Sequence, residues 1–191
     1  MLEDLLNKVR LCKHCEPDLP LGAKPIIQAS KNAKLLIIGQ APGIKVHQTG
    51  TPWNDQSGDK LRFWLDIDKP TFYNANNIAI MPMGLCYPGK GKSGDLPPRK
   101  ECAPLWHSHV LAQLPNISMT LLIGNYAQAY YLNNKPNTLT ETVRIWHRWA
   151  PQYLPLPHPS PRNIGWLKSN PWFEDEVIPF IRQQVHQTLQ L

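Results

Sequence analysis

Lys34-Leu35-Leu36-Ile37-Ile38-Gly39-Gln40-Ala41-Pro42-Gly43 reads as a buried strand that empties into a stiffened loop. An unbroken apolar run of this length suits a strand covered on both faces. The glycines and the proline then turn the chain sharply. The pattern returns late in the sequence, where Tyr153-Leu154-Pro155-Leu156-Pro157 leads into His158-Pro159-Ser160-Pro161. Open α/β sheets bind ligands outside the carboxyl ends of their strands, so these two loops are expected to be neighbours in space.

Working outward, strands and helices alternate. Leu35–Gly39, Asn77–Met83, Met119–Gly124 and Tyr153–Pro157 read as strands. Glu3–Leu11, Asp59–Ile67, Lys100–Leu114, Ala127–Leu132, Thr138–Arg148 and a last segment opening near Asn170-Pro171-Trp172 read as helices. Val46–Gly58 reads as a polar loop, and Leu85–Pro98 as a long Gly/Pro/Lys loop of the kind more often functional than idle. Alternation predicts an α/β fold: a three-layer α/β/α sandwich around a central, mainly parallel four-stranded sheet. No linker composition interrupts it, so residues 1–191 are expected to form one domain.

The 191 residues carry a net charge of +6, a balance that suits a polyanionic partner. No segment approaches the roughly 20 apolar residues needed to cross a bilayer. The N-terminus brings acids early and has no apolar signal core, so a cytoplasmic location is the expectation. Thiols stay reduced there, and the four cysteines are therefore expected as ligands or core residues rather than disulfides. Cys12 and Cys15 form Cys-x2-Cys, and Cys86 and Cys102 follow much later. Four thiolates satisfy either Zn2+ or a [4Fe–4S] cluster, and the spacing does not choose between them.

The ordered set of motifs resembles the uracil-DNA glycosylase superfamily, most closely its iron–sulphur classes. The resemblance rests on Gly39-Gln40-Ala41-Pro42-Gly43, then Thr49-Gly50-Thr51-Pro52-Trp53-Asn54-Asp55-Gln56-Ser57-Gly58-Asp59, then His158-Pro159-Ser160-Pro161-Arg162-Asn163, together with the cysteine pattern. It implies a monofunctional DNA glycosylase that hydrolyses the N-glycosidic bond of a flipped-out damaged base, uracil or another deaminated base. It also favours a [4Fe–4S] cluster on Cys12, Cys15, Cys86 and Cys102, with zinc as the alternative. The implied partner is damaged DNA, bound by a monomer.

Residue roles follow from that resemblance and from side-chain chemistry. Gln40 presents an amide to a base edge, and the backbone of Gln40 and Ala41 faces a base carbonyl. Trp53 occupies the place of a family aromatic, usually Phe, that stacks on the base. Asp55 is expected to orient the attacking water and to offset positive charge on the sugar. As an alternative, Asp55 is a helix cap or turn residue. His158 matches the family histidine that bonds the base carbonyl and steadies the departing anion. Ser160 is expected on a phosphate, and Arg162 on a phosphate or wedged into the vacated stack. Lys90 and Lys92, in a basic glycine-rich loop, are expected on the DNA backbone.

The pattern departs from the family at two places. Gln40 stands where some relatives have an acid, and an amide is no general base, which moves that task to Asp55 or His47. Ile80-Met81-Pro82-Met83-Gly84 lacks the asparagine that relatives use to read a pyrimidine edge. These departures leave a second expectation open: a catalytically weak damaged-DNA or nucleotide-binding module of the same fold. A zinc-stapled protein acting on a small nucleoside is a third.

Overall fold

Alternate residues of the first apolar run feed two different cores. Leu35 and Ile37 point into one with Leu61, Trp64, Leu121, Phe173 and Ile181. Leu36 and Ile38 point into the other with Leu6, Val9, Ala79, Val110, Leu122 and Ala127. A strand buried on both faces needs apolar side chains at every position, which is why the run is continuous.

The computed structural model describes residues 1–191. Strands β1 (Leu35–Ile38), β2 (Ile78–Ile80), β3 (Lys90–Gly91), β4 (Gly94–Asp95), β5 (Met119–Ile123) and β6 (Tyr153–Leu156) alternate with nine α-helices. These are α1 (Leu2–Arg10), α2 (Ile44–Thr49), α3 (Gln56–Leu65), α4 (Lys69–Tyr73), α5 (Cys102–Leu111), α6 (Asn125–Tyr131), α7 (Leu139–Arg144), α8 (Ile164–Ser169) and α9 (Ile178–Leu189). The central sheet has the order β2-β1-β5-β6, and every pairing in it is parallel. Register is set by Leu35 beside Ile78 and Met119, and by Leu121 beside Leu154. Residues of α3 and α9 cover one face, and residues of α1, α5 and α6 cover the other. This is the three-layer α/β/α sandwich with a four-stranded sheet that the alternation predicts.

Connections from β1 run to β2 on one side, whereas β5 and β6 extend the sheet on the other. The order therefore reverses beside β1, and a crevice opens at the carboxyl ends. Past β2, Met81, Met83 and Gly84 donate their amides to Ile37, Gly39 and Gln40. The segment Met81–Gly84 is thus laid along the first loop.

Two expected loops contain regular structure. The Val46–Gly58 stretch is partly helical, since α2 runs from Ile44 to Thr49 and α3 starts at Gln56. Asp55 accepts from the Gly58 amide at 2.8 Å, which fixes the start of α3. The Leu85–Pro98 stretch is not structureless: β3 and β4 pair as a small antiparallel hairpin, closed by Leu96 N–H to Gly89 O at 2.8 Å. The expected Thr138–Arg148 helix ends at Arg144, and a 3-10 turn spans Trp146–Arg148.

Candidate active site

The loop Gly39–Gly43, the Pro52–Ser57 segment, Pro82, the β3–β4 hairpin and the His158–Asn163 loop enclose one cavity of about 460 Å3. The two loops singled out in the sequence therefore share a cleft, as expected. Gln40, Ala41, Trp53, Asp55, His158, Ser160, Arg162 and Lys90 all line it. Lys92 does not; it is exposed on the hairpin tip. His47 lies outside as well, on α2, with its ring 6.0 Å from that of Tyr87.

Trp53 is held in an unusual backbone conformation, with φ at +55°. A non-glycine residue in this region costs roughly 1–3 kcal/mol and persists only where its surroundings over-determine it. The surroundings do. The buried Arg62 guanidinium donates to Trp53 O at 3.2 Å and pairs with Asp59 at 2.7 Å. Tyr73 OH donates to the adjacent Pro52 O at 2.8 Å. Gly58 allows the approach, since a Cβ there would stand 1.7 Å from Trp53 O. The indole in turn lies against Gly39, whose added Cβ would stand 2.9 Å from Trp53 Cζ2. Its ring centroid is 5.6 Å from that of His158, at an interplanar angle of 30°.

His158 is half-buried, and its tautomer is defined by its neighbours. The Ser160 amide donates to Nδ1 at 3.2 Å, so Nδ1 is an acceptor and the ring proton sits on Nε2. Asn163 Nδ2 donates to His158 O at 2.7 Å and braces the loop. Loss of solvation lowers the imidazole pKa, partly opposed by the negative charge of Asp55. The group is thus a neutral donor beside a carboxylate. Asp55 itself combines both expected placements: it caps α3 and it lines the cleft.

The late loop reaches across the cleft, where Arg162 Nη1 donates to Ser93 O of the hairpin. Its guanidinium thereby ties the late loop to the hairpin. The hairpin brings in Asp95, a carboxylate absent from the expected site, whose Oδ2 would lie 3.7 Å from a Cβ on Gly43. Its only sequence signal is a lone acid in a Gly/Lys-rich stretch.

Behind Pro82 stands a second residue missed in the sequence. His107, 1% exposed, bonds Pro82 O through Nε2 at 2.9 Å and Tyr131 OH through Nδ1 at 2.6 Å. A carbonyl only accepts, so Nε2 carries the proton and Tyr131 donates to Nδ1. Burial lowers the His107 pKa to about 4.

Cys12, Cys15, Cys86 and Cys102 line one small cavity with Leu19, Pro25, Arg99 and Trp106. They are not drawn into a closed cage of three or more ligands. The surroundings nevertheless offer hydrogen bonds to sulphur. Leu85 N–H donates to Cys102 Sγ at 3.3 Å, while Trp106 Nε1 and Arg99 Nε are buried without partners. Burial pushes the Cys86 thiol up to about 11 and that of Cys102 up to about 12.

No helix is long and apolar enough to cross a membrane. Compared with known families, residues 27–182 match the model described as "Uracil DNA glycosylase superfamily". The matched span includes every residue lining the cleft except Ile26, and it excludes Cys12 and Cys15.

Proposed function

Because the chain belongs to the uracil DNA glycosylase superfamily, we propose that it is a monofunctional DNA glycosylase that excises uracil or another deaminated base. The observation that carries this reading is the convergence of Trp53, His158 and Gln40 on a single cleft, the two rings tilted 30° to each other with centroids 5.6 Å apart. A base rotated out of the duplex enters that cleft and lies on the indole, a contact worth roughly 1–3 kcal/mol. Gln40 and the Ala41 amide meet its polar edge. As the glycosidic bond breaks, its electron pair leaves with the base. His158 Nε2–H bonds the base oxygen on which that charge collects, and a neutral imidazole serves for this. Asp55 offsets the positive charge on the sugar. Ser160 and the Lys90 and Lys92 ammonium groups hold phosphate. The motif loops hold no lysine that must form a Schiff base, so strand cleavage is not expected.

We further propose that the four thiols hold a [4Fe–4S] cluster, with zinc as the alternative. An all-thiolate donor set accepts either, but Trp106 Nε1 and Arg99 Nε are buried without a partner, and inorganic sulphides would accept from them. Cys12 and Cys15 after α1 and Cys86 and Cys102 around the hairpin loop would hold the group, which would supply a structural tie between them. A purified protein with broad visible absorbance and about four irons per chain supports this assignment; stoichiometric zinc without iron overturns it.

Excision decides the function. A duplex oligonucleotide with one uracil or one hypoxanthine, treated with the protein and then alkali, should be cut at the lesion. His158→Ala should lower the single-turnover rate by about 10²–10³-fold, the scale of losing one donor to a developing anion. Tight binding of the lesion without excision would instead support a damaged-DNA sensor.

A further inference from the structure

The carboxylates of Asp55 and Asp95 face the same cleft but are not equally free. One oxygen of Asp55 accepts the Gly58 amide at 2.8 Å, and its charge acts on His158. Asp55 thus belongs to the base-holding end of the loop, with Trp53 and Gly39. Asp95 lies at the other end, with Oδ2 directed at Gly43. Arg162 and Lys90 attract it from a distance, but neither bonds it, because the Arg162 guanidinium is engaged by Ser93 O. The carboxylate is anchored only through its backbone, on a hairpin pinned by Arg162 and by Leu96 N–H to Gly89 O. Between the two ends stands Gln40, which cannot take a proton.

We propose that Asp95 is the catalytic carboxylate that binds and activates the attacking water, the task that Gln40 is unable to perform. The inference rests on the glycosylase reading above. In the step, the bond between the sugar C1′ and the base nitrogen breaks, and its electron pair departs with the base toward His158 Nε2–H. The water oxygen bonds C1′, and one water proton passes to Asp95. That proton is then released to solvent or to the base, leaving a 1′-hydroxyl sugar and the free base. Asp95 must be ionised to act. The groups facing it are Arg162 and Lys90, which favour the charge, and Asp55 and Tyr87. Loss of solvation outweighs the two cations and raises its pKa above the usual carboxylate range.

The test uses single-turnover excision from duplexes carrying uracil or hypoxanthine, with wild type, Asp95→Asn, Asp95→Ala and Asp55→Asn in parallel. Binding to a duplex with a tetrahydrofuran abasic analogue serves as the control. Asp95→Asn should lose about 10²–10⁴-fold in rate, the usual yield of general base catalysis, with binding within about threefold of wild type. Formate should restore part of the Asp95→Ala rate, and the acid limb of the wild-type pH profile should vanish in Asp95→Asn. An undiminished Asp95→Asn rate, or an Asp95→Ala loss that formate leaves untouched, overturns the role of Asp95 while wild-type excision stands. A wild-type protein inert on every duplex removes the glycosylase reading and this step together.

Discussion

Gly39 is small because an indole occupies the space where its side chain would be. Gly39→Ala puts a methyl 2.9 Å from Trp53 Cζ2, closer than carbon atoms tolerate, so the ring must move off His158. The expected result is a loss of roughly 1–3 kcal/mol in lesion binding, the worth of one base–aromatic stack. Titration of tryptophan fluorescence with lesion DNA checks it, and unchanged affinity refutes the stack. At this scale the sequence was legible where chemistry follows local pattern. Gln40 and His158 stand just after apolar runs, and both line the cleft. Asp95 and His107 were hidden because nothing beside them in sequence marks them. Each gains its place only when a hairpin or a helix folds against a distant loop.

Among the elements, α3 is the one that braces the positive-φ Trp53. Its first turn holds Asp55 as cap and Gly58 beneath the positive-φ Trp53. Asp55→Asn keeps the cap, since Asn serves there as well as Asp, and stability should change by less than about 0.5 kcal/mol. Asp55→Ala should cost about 1 kcal/mol. Urea unfolding of the two variants separates the cap from the charge, and equal losses would disprove the separation. Gly58→Ala meets the Trp53 carbonyl at 1.7 Å and should exceed the usual range of single substitutions, more than about 4 kcal/mol or failure to fold. The long strands and helices were legible from their periodicity. Helices α2, α4 and α8 were not, because five or six residues span less than two turns and leave no repeat to read.

The whole molecule should be acid-sensitive through its buried imidazoles. His107 in the folded chain titrates at about 4, against an ordinary value of 6.5, so the unfolded chain binds more protons between those limits. Stability therefore rises with pH across that window and falls as pH drops from 6.5 toward 4. His107 alone accounts for about 3 kcal/mol. His158 and His47 shift in the same direction. Urea midpoints from pH 7.5 to 4 should trace the fall, and His107→Gln should flatten part of it. An identical slope in the variant refutes the assignment. The three-layer arrangement was visible in the alternation of strands and helices. The four cysteines were expected as one set and do line one cavity, but the packing of α1 against the loop before α5 that gathers them was not readable from their spacing.

The position of β6 on the rim of the sheet orders events during synthesis. His158 follows the outermost and last strand, so an emerging polypeptide displays the glycine turn, the indole and the hairpin acid well before the imidazole that shares their cleft. A chain that ends before β6 lacks His158, and with it one wall of the cleft.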